Sequence, residues 1–279
     1  MTNAANAPLR VGLIQSCATP DPVHNMKSVV AQIREAAAKG ARLVALPEAV
    51  DFLHPDNAQF HQYAKPLGEH RAVLRFQDTA RELSVWILIG SASVRAETGR
   101  VVNRSVVISP AGEIRATYDK IHLFDASPGA KASTESDIYQ RGDTAVIVDT
   151  GVATIGLSIC YDLRFPHLYR ALAQSGANVL AIPSAFMVVT GKAHWHTLMR
   201  ARAIETGCFV IAPAQCGVPH AGRESFGHSL IVNPWGEIVA EAELTEAVII
   251  ADLNLDEVTE ARHRIPSLSQ NFEYTVSRC

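Results

Sequence analysis

One thiol stands where a nucleophile would be held. Cys160 ends the run Thr154-Ile155-Gly156-Leu157-Ser158-Ile159 and is followed by Tyr161-Asp162-Leu163-Arg164-Phe165-Pro166. Apolar and β-branched residues through Ile159 read as a strand interior, and Pro166 suits the first turn of a helix, so Cys160 is predicted on a sharp strand-to-helix corner. A backbone N–H at such a corner can point at a developing oxyanion. A helix N-terminus nearby lowers a thiol from its free pKa of about 8.5. The same residue also reads as a buried structural cysteine, because free Cys is among the most buried residue types.

A thiol needs a base. Glu48 follows Leu43-Val44-Ala45-Leu46-Pro47, a carboxylate at the mouth of an apolar strand that Pro47 cannot extend; it reads as a general base or as a solvated loop residue. Lys120, in Tyr118-Asp119-Lys120-Ile121-His122-Leu123-Phe124, lies on a strand or extended edge beside aromatics. It reads as a cation for the anion formed on an amide carbon, or as a solvent-facing lysine. Glu135 sits in the polar loop 131–137 after Pro128-Gly129, a place for a substrate-covering segment or merely for solvent. Among eleven histidines, His194 and His196 flank Trp195 on a predicted helix and fall on nearly opposite faces, so they cannot easily share a metal; His122 and His228 stay open as partners of the thiol. Arg164 offers a bidentate site for a carboxylate, or a salt bridge to Asp162.

These residues need a frame. The periodicity predicts strands over 9–15, 43–46, 85–91, 105–108, 145–148, 153–159, 179–182, 209–212, 228–232 and 248–252, and helices over 21–38, 69–83, 166–174 and 192–206. The first helix would turn Val23, Met26, Val30, Ile33 and Ala37 inward. Two segments, Ser109-Pro110-Ala111-Gly112-Glu113-Ile114 and Asn233-Pro234-Trp235-Gly236-Glu237-Ile238, both read as strand, turn, strand, which permits but does not require a duplicated sandwich. With 279 residues, 48% hydrophobic content and no linker-like stretch, the pattern is one domain of mixed sheets covered by helices. A net charge of −3 without a basic cluster argues against nucleic acid, and no segment approaches a membrane span. The first ten residues carry no signal-peptide pattern, and five cysteines without metal spacing suit reduced thiols in a cytoplasm.

Taken together, Leu46-Pro47-Glu48, the Tyr118–Asp125 stretch and Ile159-Cys160-Tyr161-Asp162-Leu163-Arg164-Phe165-Pro166 resemble, in order, the glutamate, lysine and cysteine motifs of the nitrilase superfamily of carbon-nitrogen hydrolases. The resemblance implies an α/β fold over 1–279, a single-domain four-layer α-β-β-α sandwich. Residues 254–279 would form an extension packing on a partner subunit. It implies Glu48 as general base, Lys120 as the cation, Cys160 as nucleophile and Glu135 as a supporting carboxylate, with Tyr161, Arg164, Phe186 and His194 binding substrate. Neither cofactor nor metal is implied. Partners would be a small amide and a second copy of the chain, a homodimer or larger homo-oligomer built through the helices flanking Cys160.

Cys-Tyr-Asp-Leu-Arg-Phe-Pro resembles the amidase branch of deaminated glutathione amidases and omega-amidases, where nitrilases carry Cys-Trp-Glu. Stretches at 190–195, 200–206, 214–217 and 225–229 resemble the former more closely. His167 departs from this group's usual Glu, and Met187-Val188-Val189 from a more polar stretch. The implied reaction is hydrolysis of the C–N bond of a small carboxylate-bearing amide through a thioester, releasing ammonia. An omega-amidase acting on 2-oxoglutaramate, an N-carbamoyl amino acid hydrolase, a Cys/His thiol hydrolase and a non-catalytic binding protein on the same fold are the alternatives.

Overall fold

The structure is a computed structural model that describes residues 8–127, 133–220 and 223–279. Its first half runs β1 (Leu9–Gln15), α1 (Pro22–Ala38), β2 (Leu43–Ala45), α2 (Asn57–Tyr63), α3 (Arg71–Leu83), β3 (Trp86–Arg95), β4 (Val101–Ile108), β5 (Ile114–Asp119), β6 (Asp125–Ala126) and β7 (Ser133–Thr134). Its second half runs β8 (Ile147–Asp149), β9 (Thr154–Leu157), α4 (Pro166–Gln174), β10 (Val179–Ala181), α5 (Val188–Thr206), β11 (Phe209–Ala212), β12 (Cys216–His220), β13 (Arg223–Phe226), β14 (Leu230–Val232), β15 (Ile238–Glu241), β16 (Ala247–Leu253) and α6 (Asp256–Arg264).

Two six-stranded sheets result, ordered β16-β1-β2-β3-β4-β5 and β15-β14-β11-β10-β9-β8. Each has three parallel central strands, β1 to β3 in one and β9 to β11 in the other. Each then adds an antiparallel hairpin, β4–β5 or β14–β15, closed by the turns at Gly112 and Gly236. The two Pro-Gly segments that read alike therefore occupy matching places in two alike sheets.

Alternation along β1 explains the layering. Leu9, Val11 and Leu13 share a buried cluster with Ile155, Leu157 and Ala181 of the second sheet, whereas Ile14 packs with Val30 and Ile33 of α1 and Phe76 of α3. Gly12 lets α1 lie close, since a Cβ there would stand 2.8 Å from Ala36 Cβ. On the far face of the second sheet, Gly156 does the same for Leu172 of α4, and Trp195 and Met199 of α5 are fully buried. Each such large apolar side chain contributes about 1.5–3 kcal/mol on burial. The layers are thus helix, sheet, sheet, helix, as the α-β-β-α sandwich requires.

Several boundaries differ from the sequence reading. The buried stripe of α1 is Asn25, Val29, Val30, Ile33 and Ala36, with Val23 exposed. Asn25 rotates the face, because its amide bonds the carbonyls of Thr19 and Asp51 and accepts from Thr19 N–H and hydroxyl. α5 starts at Val188 rather than 192, with Gly191 inside it because a Cβ there would meet the Phe226 ring at 2.2 Å. The C-terminal segment 254–279, expected as an extension onto a partner, includes α6, and its residues as far as Asn271 also contact their own chain. Arg262 donates to the carbonyls of Ala177 and Thr206, and Arg170 to those of Ser267, Leu268 and Gln270. The Pro128-Gly129 turn, Lys131, Ala132 and the chain start fall outside the described residues.

Candidate active site

Four loops at the same end of the two sheets deliver the reactive groups. Glu48 leaves β2 through buried Leu46 and Pro47, and the turn beyond it places Ala49 at φ 51°, its N–H bound to Ser91 Oγ at 2.9 Å. Gly90 in β3 allows this loop its path: a Cβ there would stand 2.1 Å from Leu46 O, 2.4 Å from Pro47 O and 2.5 Å from Pro183 Cβ. Lys120 comes directly after β5, its N–H held by Asn103 O at 3.0 Å. Glu135 opens a single 3-10 turn, Glu135–Asp137.

Cys160 does occupy a sharp corner. It opens a 3-10 turn, Cys160–Arg164, in the left-handed region at φ 48°, and donates its N–H to Pro183 O at 2.9 Å. A non-glycine residue there is strained, so the surroundings must hold it. Asp162 does much of that. Its fully buried carboxylate accepts from Ile159 N–H at 2.8 Å, the Tyr118 hydroxyl at 2.6 Å, His122 N–H at 3.0 Å and His122 Nδ1 at 2.7 Å. Asp162 is therefore committed to the corner and does not pair with Arg164.

The carboxylates converge on one ammonium. Lys120 Nζ donates to Glu48 Oε1 at 2.8 Å and to Glu135 Oε1 at 2.9 Å, with a lysine side chain only 1% exposed. Glu48 Oε1 also accepts from Asn103 Nδ2 at 3.0 Å, Glu48 Oε2 from Ala185 N–H at 2.8 Å, and Glu135 Oε2 from Phe124 N–H at 2.7 Å. The Cys160 thiol hydrogen-bonds Glu48. Burial works against the Lys120 charge, but Glu135 and Glu48 outweigh it and hold the ammonium well above the usual lysine value. Burial raises Glu135, a rise that Lys120 opposes and Glu48 reinforces.

The thiol itself is pushed up, first by burial and then by the Glu48 charge, with Lys120 pulling the other way. This corrects the expectation of a thiol lowered by a helix N-terminus. Cys160 opens only a short 3-10 turn, and the interior beside two carboxylates disfavours a thiolate more than one lysine favours it. The resting sulfur is a thiol with an acceptor already in place.

A pocket of about 250 Å³ opens onto this cluster, lined by Glu48, Lys120, Glu135 and Cys160, with Tyr161, Arg164, Phe186 and Met187 among its walls. His194 is not among the lining residues; it is exposed on α5, its Nδ1 3.3 Å from both terminal nitrogens of Arg164. His122 is taken by Asp162 and stacks on Phe165, and His228 lies with Glu241, so neither lines the pocket beside the thiol.

The sequence profile of the carbon-nitrogen hydrolases matches residues 10–263. The chain belongs to that family. This carbon-nitrogen hydrolase is 40% identical to deaminated glutathione amidase of Homo sapiens over 280 aligned positions, covering 96% of this chain and 85% of the relative. It is 37% identical to omega-amidase NIT2 of Homo sapiens, covering 94% of each. The solved C. elegans NitFhit protein superposes with a TM-score of 0.87 at 32% identity, over 95% of this chain and 65% of that longer one. The carbon-nitrogen hydrolase is thus an amidase of the nitrilase superfamily, hydrolysing amide C–N bonds, and no helix among its described residues is long and apolar enough to cross a membrane.

Two residues that position the site escaped the sequence reading. Asn103, in the middle of β4, carries no local signal, since a buried amide in a strand looks like any polar break in an apolar run. Asp162 was visible, but only as a neighbour for Arg164. Its tie to Tyr118 and His122 crosses some forty positions that no periodicity spans.

Proposed function

We propose that this carbon-nitrogen hydrolase releases ammonia from a small amide carrying a free carboxylate, of the deaminated glutathione type, with Cys160, Glu48 and Lys120 as its catalytic residues. The observation that supports the substrate class is Arg164. Its guanidinium lines the pocket, makes no ion pair among the described residues, and lies 5.9 Å from the Tyr161 ring centroid and 5.5 Å from that of Phe186. A planar fork held between aromatic faces suits a substrate carboxylate.

The chemistry is acyl transfer in two halves. Glu48 takes the thiol proton as sulfur attacks the amide carbon, and the oxyanion forms beside the Lys120 ammonium and the Tyr161 N–H. Each preorganised donor is worth a few kcal/mol there. Glu48 then returns the proton to the leaving nitrogen, and ammonia departs from a Cys160 thioester. Water next loses its proton to Glu48 as it attacks the thioester, and collapse of the second oxyanion frees the acid while the sulfur regains its proton. Glu135 and Asn103 fix Lys120 and Glu48 for both halves.

The chain works as a cytoplasmic homodimer in this reading. Its α4 and α5 meet their copies, and the segment 254–279, whose last residues leave Phe272 80% and Tyr274 86% exposed, packs on the partner subunit. The test is ammonia release compared on deaminated glutathione, 2-oxoglutaramate, a carbamoyl amino acid and a simple nitrile, for wild type and Arg164→Met. The expected result is highest kcat/KM on deaminated glutathione, with KM for carboxylate-bearing amides raised tenfold or more in Arg164→Met and that for a neutral amide little changed. Carbon dioxide released with ammonia, or a KM indifferent to Arg164, overturns the assignment.

A further inference from the structure

Away from the pocket, three side chains that take no part in this chemistry converge at the edge of the second sheet. His196 comes from α5, His228 from the turn between β13 and β14, and Glu241 from the end of edge strand β15. His196 Nε2 at 2.8 Å and His228 Nδ1 at 2.7 Å approach the same oxygen, Glu241 Oε1, and the three candidate ligand atoms lie within 4.8 Å of one another. We propose that His196, His228 and Glu241 bind a divalent transition-metal ion of the zinc class.

The donor set fits such an ion: two imidazole nitrogens, which are borderline donors, together with one carboxylate oxygen form a set that Zn²⁺ takes. Ligands at about 2.1 Å on a tetrahedral ion lie roughly 3.4 Å apart, so the two histidine-to-carboxylate contacts must each open by about 0.6 Å, a small side-chain rotation. The side chains are 36%, 25% and 30% exposed, which leaves a solvent face for water to complete the shell.

A second observation is independent of the ligand atoms. His228 stands in the left-handed region at φ 55°, costly for a side chain with a Cβ. Its surroundings hold it there. Its N–H donates to Glu243 O at 3.0 Å, its carbonyl accepts the Trp195 indole at 2.8 Å, and its ring stacks on Phe226 at 4.4 Å. The imidazole is therefore aimed before anything binds, as ligands of rigid metal sites are. The expectation that no metal is involved rested on cysteine spacing and on His194 and His196 facing apart. They do face apart, but His196 finds its partners 32 and 45 positions away, a spacing no local motif records.

An ion here would fasten α5 to the β14–β15 hairpin. Trp195, next to His196, packs on Phe186 at 5.1 Å, so the clamp would brace the pocket wall from behind.

The experiment titrates chelator-treated full-length protein with Zn²⁺ alone and counts bound ion by equilibrium dialysis. Co²⁺ is titrated in parallel, because its visible spectrum reports tetrahedral ligation and a sulfur-to-metal band betrays a cysteine. His196→Gln keeps a side chain able to hydrogen-bond Glu241 but removes the ligand, and Glu241→Gln removes the carboxylate. The expected result is one ion per wild-type chain with micromolar or tighter affinity, a tetrahedral Co²⁺ spectrum without a thiolate band, and a Tm that rises with added Zn²⁺. Both variants should keep their far-UV circular dichroism and lose the binding at least tenfold. Equal stoichiometry and affinity in the variants, a thiolate band, or no binding in the micromolar range overturns the proposal.

Discussion

Replacing Asp162 by Asn tests whether the corner that holds Cys160 is maintained by a carboxylate rather than by shape. The side chain is fully buried and accepts four donors, two on each oxygen. Asn has the same outline but turns one oxygen into an NH₂ group. On the Oδ1 side that group meets His122 N–H and Nδ1, and on the Oδ2 side Ile159 N–H and the Tyr118 hydroxyl. The imidazole can change tautomer and the hydroxyl can rotate, but neither backbone N–H can reverse. Either orientation therefore leaves one backbone donor buried against another donor, at about 1–3 kcal/mol, and weakens the remaining bonds; we expect a loss of about 2–4 kcal/mol in all. For a chain of this size that lowers Tm by roughly 5–10 °C. If Ile159 N–H is the orphan, Cys160 shifts with its neighbour, and kcat should fall by about tenfold to a hundredfold. Differential scanning calorimetry and ammonia release read the two effects. A Tm within about 1 °C of wild type together with an unchanged kcat would refute the reasoning.

The same geometry sets three further outcomes. Cys160→Ala should abolish amide hydrolysis without unfolding the protein, because it removes only the thiol and its bond to Glu48 and keeps the backbone bond from residue 160 to Pro183 O; normal turnover in the purified variant would exclude Cys160 as nucleophile. Glu48→Gln keeps the contact with Ala185 N–H but no longer accepts the thiol proton, so kcat should drop by at least about a thousandfold, whereas a Cys/His hydrolase would stay active. Since burial and Glu48 raise the thiol pKa, the protonated form persists through neutral pH, and alkylation of the substrate-free enzyme by iodoacetamide should keep climbing with pH; a plateau reached below about pH 7 would reveal a stored thiolate instead.

The sharp corner at Cys160 was readable from sequence because its position depends on local events: an apolar β-branched run, a break, and a proline that starts α4. The parallel strands were readable for the same reason, although β9 ends at Leu157, two residues before the expected limit, as the chain already bends toward Cys160. The paired Pro-Gly turns were readable, but their meaning was not, because matching places in two sheets are a property of the sandwich and not of either turn. Asn25 shows where periodicity misleads. A polar residue on the buried face looks like an error in the stripe until its four hydrogen bonds to Thr19 and Asp51 are seen. The short α2 and the α6 that packs beneath Cys208 carry too little apolar pattern to declare themselves before the body they rest on is in place.

Glu48 is gripped from two directions, by Asn103 and Lys120 on the side of the first sheet and by Ala185 on the side of the second. Its carboxylate is in effect a rivet through the seam between the halves. In the proposed mechanism catalysis then measures how well the halves are docked: a sliding of one sheet over the other too small to expose the core already parts the proposed base from its anchors. Heat should silence this enzyme before it melts it, and the gap between the temperature of inactivation and that of unfolding gauges the stiffness of the seam. Neither half of the chain alone holds all the groups of the proposed chemistry, however well it folds.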